Sequence, residues 1–246
     1  MNILYKYFKN GNIEYIGDYR NNKKYGKGTL YNIHGDIIYK GTFKNNKKNG
    51  YGKLFKNNKL LYDGFFKDDQ FNGLGTLYDS ELNKKFYGNW KNNKANGYGE
   101  IYYSNNDLKF KGYLRNGNML NGKFYINKNL IYDGSFYENK FDGYGLLFNM
   151  NKSIIYKGHF KNHEYNGFGI LFDTKDNNRT IIYKGLFKNN KKNGHGIEYL
   201  DNGDIIEGNF IDDNKEGKFN LLQKNDKLLY FINNYEKTYN LRKRRK

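Results

Sequence analysis

The chain of 246 residues contains no cysteine and no proline, and it has a single tryptophan. The absence of cysteine excludes disulfide bonds, thiol catalysis and the lipid modifications that attach to cysteine. No stretch approaches the roughly 18 apolar residues that a membrane-spanning helix needs. No signal-peptide pattern opens the sequence, and the N-terminus lacks the glycine that myristoylation requires. We therefore expect an intracellular, cytoplasmic protein whose membrane contact is peripheral or made through a partner.

Acidic residues are scarce relative to basic ones. There are 25 Asp and Glu residues against 43 Lys and Arg residues, which gives a formal net charge of +18. Only 37% of the residues are hydrophobic, yet aromatic residues reach 19%. Because disordered chains are poor in aromatic residues, this composition predicts a folded, thin sheet rich in rings. The excess of lysine predicts either a solvated basic surface or attraction to an acidic partner, and part of it is typical of an AT-rich protist genome.

A repeat is the main feature that the sequence does contain. A Tyr-X-Gly-X-aromatic motif returns every 22 to 27 residues, most often every 23 or 24. The first glycines of repeats one to nine are Gly17, Gly41, Gly64, Gly88, Gly112, Gly134, Gly158, Gly185 and Gly208. A Gly-X-Gly pair follows nine residues later in seven of the nine repeats. A repeat of this length predicts an array in which each repeat contacts only its neighbours.

Two repeats depart from the pattern. The fifth keeps Gly122, which we assign to the first glycine of the pair, and has Phe124 in place of the second. The ninth keeps Gly217 and has Phe219 in place of the second glycine. We expect the fifth and ninth repeats to mark the places where this protein differs from a regular repeat array.

The second repeat illustrates the predicted local structure. Period-two alternation places Tyr39, Gly41 and Phe43 on one face of a strand. The polar run 45–49 predicts a hairpin turn, and a second strand then carries the Gly-X-Gly pair on the same face. Without side chains, these glycines leave room for an aromatic ring to lie against the backbone. The glycines are therefore expected to be structural and not a ligand site.

We predict an all-β fold, an elongated single-layer antiparallel β-meander of about nine hairpin repeats. Residues 1–12 are assigned to an N-terminal capping strand and residues 13–222 to the repeat array. Residues 223–246 are assigned to a degenerate C-terminal cap with a basic tail. Ile232, Tyr235 and Tyr239 are equally compatible with one face of a short C-terminal helix.

The motif, the short polar turn, the Gly-X-Gly-X-Leu segment and the 23-residue step together resemble the MORN repeat (membrane occupation and recognition nexus) over about residues 13 to 222. The resemblance implies a scaffold of membrane–cytoskeleton junctions, ciliary structures or the cortex of protist parasites, and it implies self-association. A protein partner is therefore expected, either an extended peptide, a helix or a second copy of the chain as a homodimer. MORN repeats also accompany some lipid kinases and methyltransferases, which leaves regulation of an enzyme in trans as an alternative.

Two sets of residues are candidates for partner contact. The aromatic column two residues after the first glycine is predicted to form an interaction surface, with Trp90 its most informative member because tryptophan is enriched at interface hot spots. This column contains Tyr19, Phe43, Phe66, Trp90, Phe136, Phe160, Phe187 and Phe210. The alternative is contact with anionic phospholipid through basic residues. These residues are Lys40, Lys44, Lys157, Lys161, Arg242, Lys243, Arg244, Arg245 and Lys246.

Signals of catalysis and cofactor binding are weak. The nearest approach to a phosphate-binding loop, Gly26-Lys27-Gly28-Thr29, is followed by strand residues and not by a helix. The four histidines are distributed over different repeats, and the only close pair, His159 and His163, has no matching carboxylates. We therefore predict no catalytic residue, no metal and no cofactor, and we expect no nucleic-acid partner.

Overall fold

The computed structural model describes residues 3–175 and 180–223. These residues form nineteen β-strands and contain no helix, which confirms the predicted all-β class. The chain divides into two compact units, Met1–Gly143 and Tyr144–Lys246, and the division falls within β13 (Lys140–Phe148). The predicted C-terminal cap, the alternative helix and the basic tail lie beyond residue 223, outside the described residues.

Each unit is a single-layer antiparallel meander, as predicted. The first unit contains β1 (Ile3–Tyr7), β2 (Ile13–Arg20), β3 (Lys23–Tyr31), β4 (Ile37–Lys44), β5 (Lys47–Lys56), β6 (Lys59–Lys67), β7 (Gln70–Tyr78), β8 (Lys84–Lys91), β9 (Lys94–Tyr102), β10 (Leu108–Arg115), β11 (Asn118–Ile126) and β12 (Asn129–Tyr137). Each of these strands pairs antiparallel with the next along the chain.

The second unit follows the same plan. It contains β14 (Ile154–Lys161), β15 (Glu164–Phe172), β16 (Ile181–Lys188), β17 (Lys191–Tyr199), β18 (Ile205–Ile211) and β19 (Asn214–Leu222). These six strands again pair antiparallel in chain order. The register aligns glycine with glycine on neighbouring strands, for example Gly158 with Gly169 and Gly169 with Gly185.

The hairpin turns are tighter than the sequence indicates. In the second repeat only Asn45 and Asn46 form the turn, with φ of 52° and 69°, and Lys47 already begins β5. Two successive residues with positive φ are the signature of the type I′ turn, whose twist matches that of the flanking strands. Since Asn and Asp tolerate the left-handed region better than other residues with side chains, this geometry accounts for much of the asparagine in the chain. The predicted five-residue turn was therefore wrong, because lysine and asparagine continue the strand.

We use the name tips for the nine turns that join a Tyr-X-Gly strand to the following Gly-X-Gly strand. The tips are Asn21–Asn22, Asn45–Asn46, Asp68–Asp69, Asn92–Asn93, Asn116–Gly117, Glu138–Asn139, Asn162–His163, Asn189–Asn190 and Asp212–Asp213. Neighbouring tips within a unit lie two strands apart, or about 9.6 Å. The tips therefore form one edge of each meander.

An aromatic ring covers the glycines, as predicted, and in six of the nine repeats it is the tyrosine two residues before the first glycine. Tyr39 is fully buried, and its hydroxyl donates to the carbonyl of Thr42 at 3.0 Å. A Cβ atom on Gly52 would lie 2.3 Å from the Tyr39 hydroxyl oxygen, and one on Gly41 would lie 2.5 Å from it. Both distances are far below van der Waals contact, so only glycine fits beneath this ring.

Edge-to-face contacts then join one repeat to the next. The ring of Tyr39 meets that of Phe43 on its own strand at 5.1 Å between centroids and that of Phe66 in the following repeat at 5.2 Å, with interplanar angles of 81° and 87°. Contacts of this geometry each contribute about 0.5–1.5 kcal/mol beyond the burial of apolar area. The same arrangement recurs between Tyr183, Phe187 and Phe210 in the second unit.

A further column covers the tyrosine rings from the other side. The residue two positions before the Gly-X-Gly pair lies over the ring, and it is either a lysine or an aromatic residue in most repeats. In the second repeat the Lys48 ammonium lies 5.8 Å from the centre of the Tyr39 ring. In the third repeat Phe71 stacks on Tyr62 at 3.8 Å. One face of the sheet is thus packed, and we call it the packed face, while the opposite face is the open face.

The two imperfect repeats show how the packing adapts. Gly122 pairs with Gly112 as Gly52 pairs with Gly41, so Gly122 is the second glycine of its pair and our assignment to the first was wrong. The physical reason is a hairpin shorter by one residue, since Gly122 follows Gly112 by ten residues whereas Gly52 follows Gly41 by eleven. In the ninth repeat the assignment of Phe219 to the position of the second glycine holds. Phe219 lies beside the first glycine, since a Cβ on Gly208 would lie 2.4 Å from its ring.

Candidate interaction surfaces

The structure places the predicted aromatic column on the packed face. Tyr19 is partly exposed. The other seven members are buried, namely Phe43, Phe66, Trp90, Phe136, Phe160, Phe187 and Phe210. Seven of the predicted rings are therefore not exposed along the sheet, because neighbouring repeats and the covering column enclose them. Contact of these rings with a partner stays a prediction.

Trp90 shows how firmly this column is held. It is 8% exposed, and its indole nitrogen donates to the carbonyl of Gly75 at 3.1 Å. Its ring meets those of Tyr62, Phe71 and Phe86 edge-to-face at 5.6, 5.3 and 5.0 Å. A tryptophan with its polar atom satisfied inside the protein has its main role in packing.

The open face carries the exposed rings. Tyr98 on β9 and Tyr113 on β10 are paired across the strands, with ring centroids 5.4 Å apart, and they are 44% and 53% exposed. Tyr51 and Phe65 form an equivalent pair on β5 and β6 at 5.7 Å. We call these two pairs the open-face ring pairs. They form because the residue between the two glycines points away from the packed face and lies opposite the residue that follows the next Tyr-X-Gly.

A carboxylate fixes one of these rings. The Tyr51 hydroxyl donates to the Asp63 carboxylate, and this hydrogen bond raises the pKa of Tyr51 to about 12. Asp63 also forms an ion pair with Lys53 at 3.4 Å. The hydrogen bond to Asp63 holds the ring at a defined position on the open face.

The open face of the second unit is less aromatic. Tyr144 is 49% exposed, and its ring meets that of His159 at 5.5 Å. The corresponding positions on the next two strands are Phe168 and Leu186, which pair with each other and are half-buried. Alternation alone marks all of these positions as facing away from the tyrosine column. The signal that sequence reasoning missed is that aromatic residues recur between the glycines.

The lysines predicted to contact lipid are exposed but dispersed. Lys40 and Lys44 lie on β4 of the first unit, and Lys157 and Lys161 lie on β14 of the second. The five basic residues of the tail, 242–246, lie outside the described residues. The structure therefore brings two lysines together on each of two strands, and contact of any of these residues with lipid stays a prediction.

The tip edge carries side-chain clamps between repeats. The Asn46 side-chain carbonyl accepts a hydrogen bond from the backbone N–H of Lys24 at 2.7 Å, and the Asn46 N–H donates to the Lys24 carbonyl at 3.1 Å. The same two bonds join Asp69 to Lys48 and Asn190 to Tyr165. Each clamp bonds the second residue of a tip to the strand of the preceding repeat. Neighbouring tips are thus fixed relative to one another.

Like charges face each other beside several tips. Arg20 pairs with Lys23, and Lys44 pairs with Lys47, directly across their hairpins. No acidic side chain lies within 4 Å of these four cations among the described residues. Because like charges directly opposite each other destabilise a sheet, the tip edge of the first unit is electrostatically suited to bind an anionic partner.

Over residues 3–175 and 180–223 there is no group of three or more His, Asp or Glu side chains that could hold a metal ion. Within the same ranges no helix is long and apolar enough to cross a membrane.

Comparison with protein families agrees with the geometry of the repeats. The MORN repeat model matches seven segments that together span more than half of the chain, namely residues 15–32, 39–59, 62–81, 86–108, 132–149, 156–175 and 183–205. The chain belongs to the MORN repeat family. A search of curated proteins found no match.

The seven MORN matches coincide with the regular repeats. Each match begins at the aromatic residue two positions before a first glycine, for example at Tyr39 and Tyr62. The fifth and ninth repeats lie largely outside the matched segments. These are the two repeats that lack the Gly-X-Gly pair, so the family pattern corresponds to the packing of tyrosine over paired glycines.

Proposed function

We propose that this MORN protein is a non-enzymatic scaffold that binds a protein partner through the open face of its first unit. The observation that carries the proposal is the exposure of the Tyr98 and Tyr113 ring pair on a single-layer sheet. A cluster of exposed rings supports an interaction site, and tyrosine is among the residues most often found at interface hot spots. A setting at a membrane–cytoskeleton junction or a cortical structure is part of the same proposal, supported by the family.

The arrangement of the two faces favours the open face over the tyrosine and phenylalanine columns. Contact through Trp90 would require its indole to leave the Gly75 carbonyl and three neighbouring rings. Tyr98 and Tyr113 need no such rearrangement. Rigid, half-exposed rings on paired strands lose little conformational entropy on binding.

Affinity purification with quantitative mass spectrometry tests the proposal. The variant Tyr98→Ser/Tyr113→Ser is compared with the matched control Tyr5→Ser/Tyr7→Ser, which removes two equally exposed rings from the edge strand β1. We expect the first variant to recover partners of the parent protein at least about tenfold less well, since loss of the ring pair should cost about 1.4 kcal/mol or more. Recovery that is equal for both variants would contradict the assignment of this face.

Self-association belongs to the same proposal, because a second copy is one partner that an exposed ring face can bind. Light scattering of the purified chain across a concentration series measures it directly. If two copies associate through this face, the Tyr98→Ser/Tyr113→Ser variant should shift the monomer–dimer equilibrium toward the monomer. A dimer whose stability is unaffected by the variant would place that contact elsewhere.

Binding of acidic phospholipid is the second candidate function, and exposure of Lys40, Lys44, Lys157 and Lys161 favours it. Each basic residue near an anionic bilayer contributes about 1 kcal/mol. Sedimentation with phosphatidylserine vesicles tests this role, and we expect binding that is lost with moderate salt and with neutralisation of residues 242–246. A regulatory subunit that serves an enzyme in trans would use the open face in the same way.

A further inference from the structure

A groove lies between two neighbouring tips of the first unit, where the open face meets the tip edge. It has a volume of about 640 Å³ and is open to solvent. One wall is formed by Asn45 of the first tip with the adjoining strand ends, and Asp68 of the next tip lies on the other wall. The clamp from Asp69 to Lys48, at 2.9 Å, fixes these two tips relative to each other. The groove is therefore a built feature of the hairpin array.

The rim of the groove is basic. Lys44 and Lys47 face each other across one hairpin, and Lys67 lies on the opposite wall. None of the three has an ion-pair partner within the described residues. Asp68 is the single acid on the rim, so a bound carboxylate is favoured beside the three lysines and disfavoured beside Asp68.

The floor of the groove combines an exposed ring with backbone. Phe65 is 46% exposed, and the partly exposed residues Gly50 and Gly73 lie beside it. The side-chain amides of Asn49 and Asn72 also line the groove and can both donate and accept hydrogen bonds. Such a floor accepts an apolar side chain and the backbone of an extended peptide.

We propose that this groove binds an acidic segment of a protein partner. An apolar side chain of the segment packs on Phe65, and flanking carboxylates bind Lys44 and Lys47 on one wall and Lys67 on the other. The separation of the tips, about 9.6 Å, is spanned by three residues of extended chain, which places acids on either side of the apolar residue. A flat membrane surface would meet the tips but would leave Phe65 and the amide groups of the floor unused.

The equivalent groove of the second unit provides an internal comparison. Lys161 and Lys188 occupy the positions of Lys44 and Lys67, and Leu186 occupies that of Phe65. Glu164 stands in place of Lys47. The opposed pair of cations is thereby replaced by a lysine and a glutamate, so this groove binds the acidic segment less tightly.

The inference rests on the proposed function only in that a protein partner meets the open face of the first unit. Binding is measured by fluorescence anisotropy with a labelled synthetic peptide that contains Glu-Glu-Phe-Glu-Glu, using the full chain. The variant Lys44→Gln/Lys47→Gln is compared with the matched control Lys56→Gln/Lys59→Gln. The two control lysines also face each other across a hairpin, but at the opposite end of β5. Any contribution of the basic tail is the same in all variants.

At low salt we expect Lys44→Gln/Lys47→Gln to weaken binding about tenfold and the control to weaken it less than about twofold. Replacing the phenylalanine of the peptide by serine should weaken binding by the parent about fivefold. Equal losses in both lysine variants, or indifference to the phenylalanine, would overturn the proposal. The proposal would also be overturned if Lys44→Gln/Lys47→Gln weakened binding to phosphatidylserine vesicles but not binding to the peptide. The occupant of the groove would then be a membrane. Peptide binding that fails while partner recovery still depends on Tyr98 and Tyr113 would refute this inference and leave the proposed function standing.

Discussion

Replacing Asn46, the second residue of the tip of the second repeat, is expected to weaken the contact between repeats one and two. Its side chain accepts a hydrogen bond from the Lys24 N–H at 2.7 Å, and its φ is 69°. Stability of a repeat array depends on such contacts between neighbours as well as on each repeat. The substitution Asn46→Ala removes the hydrogen bond and places alanine in the left-handed region.

Three variants separate these two effects. Loss of the hydrogen bond costs about 1 kcal/mol, and the left-handed conformation, which asparagine tolerates, costs alanine about another 1 kcal/mol, so Asn46→Ala should lose about 2 kcal/mol. Asn46→Gly keeps the conformation and should lose only the first amount. Asn45→Ala should lose only the second amount, because Asn45 has φ of 52° and its side chain makes no hydrogen bond within the described residues.

Urea unfolding followed by circular dichroism measures the three free energies of unfolding. The reasoning is refuted if Asn46→Ala and Asn45→Ala are equally destabilised while Asn46→Gly matches the parent. That result would mean that the bond to Lys24 contributes nothing, and that tips are held only by their own turn geometry.

Three further predictions concern the packed face. Gly52→Ala should lower the free energy of unfolding by about 1–3 kcal/mol, since its Cβ would lie 2.3 Å from the Tyr39 hydroxyl oxygen; an unchanged urea midpoint would contradict this. Lys48→Phe should raise the free energy of unfolding by about 1 kcal/mol, because Phe71, at the equivalent position of the third repeat, stacks on Tyr62 with ring centroids 3.8 Å apart. A lower urea midpoint than that of the parent would contradict this. Burial raises the pKa of Tyr15 to about 12, so its neutral phenol stabilises the fold fully below pH 10 and loses this effect as the pH rises towards 12. Stability should therefore fall more steeply between pH 10 and 12 in the parent than in Tyr15→Phe, and equal slopes would speak against the shift.

The sequence predicts the strands well because both periods are explicit in it. The step between motifs defines the repeats, and alternation around Gly41 places Tyr39 and Phe43 on one face. The family and the meander follow from the same columns. The turn lengths could not be obtained this way, since asparagine and lysine occur in both the tips and the strand ends. A register count from Gly112 to Gly122 is needed to place the second glycine of the fifth repeat.

The exposure of each face was harder to predict. Alternation separates the column of Phe43 from that of Tyr51 but does not say which column is covered. The decisive information is three-dimensional, because Phe43 is buried by rings of neighbouring repeats and Tyr39 is covered by Lys48. The one sequence signal is the residue two positions before Gly-X-Gly, where lysine or an aromatic residue recurs. The groove between tips depends on the clamps and had no signal in the sequence.

The central claim is that paired glycines and a tyrosine form one packing unit, and an exchange that copies the ninth repeat tests it most directly. There Ile206 replaces the tyrosine, and Phe219, in place of the second glycine, supplies the ring over Gly208. The measurement is a double-mutant cycle in the second repeat with Tyr39→Ile, Gly52→Phe and both together. We predict that the double variant is less destabilised than the sum of the single variants by about 1–3 kcal/mol. Additive losses of free energy would contradict the account, because the ring and the glycine would then act independently.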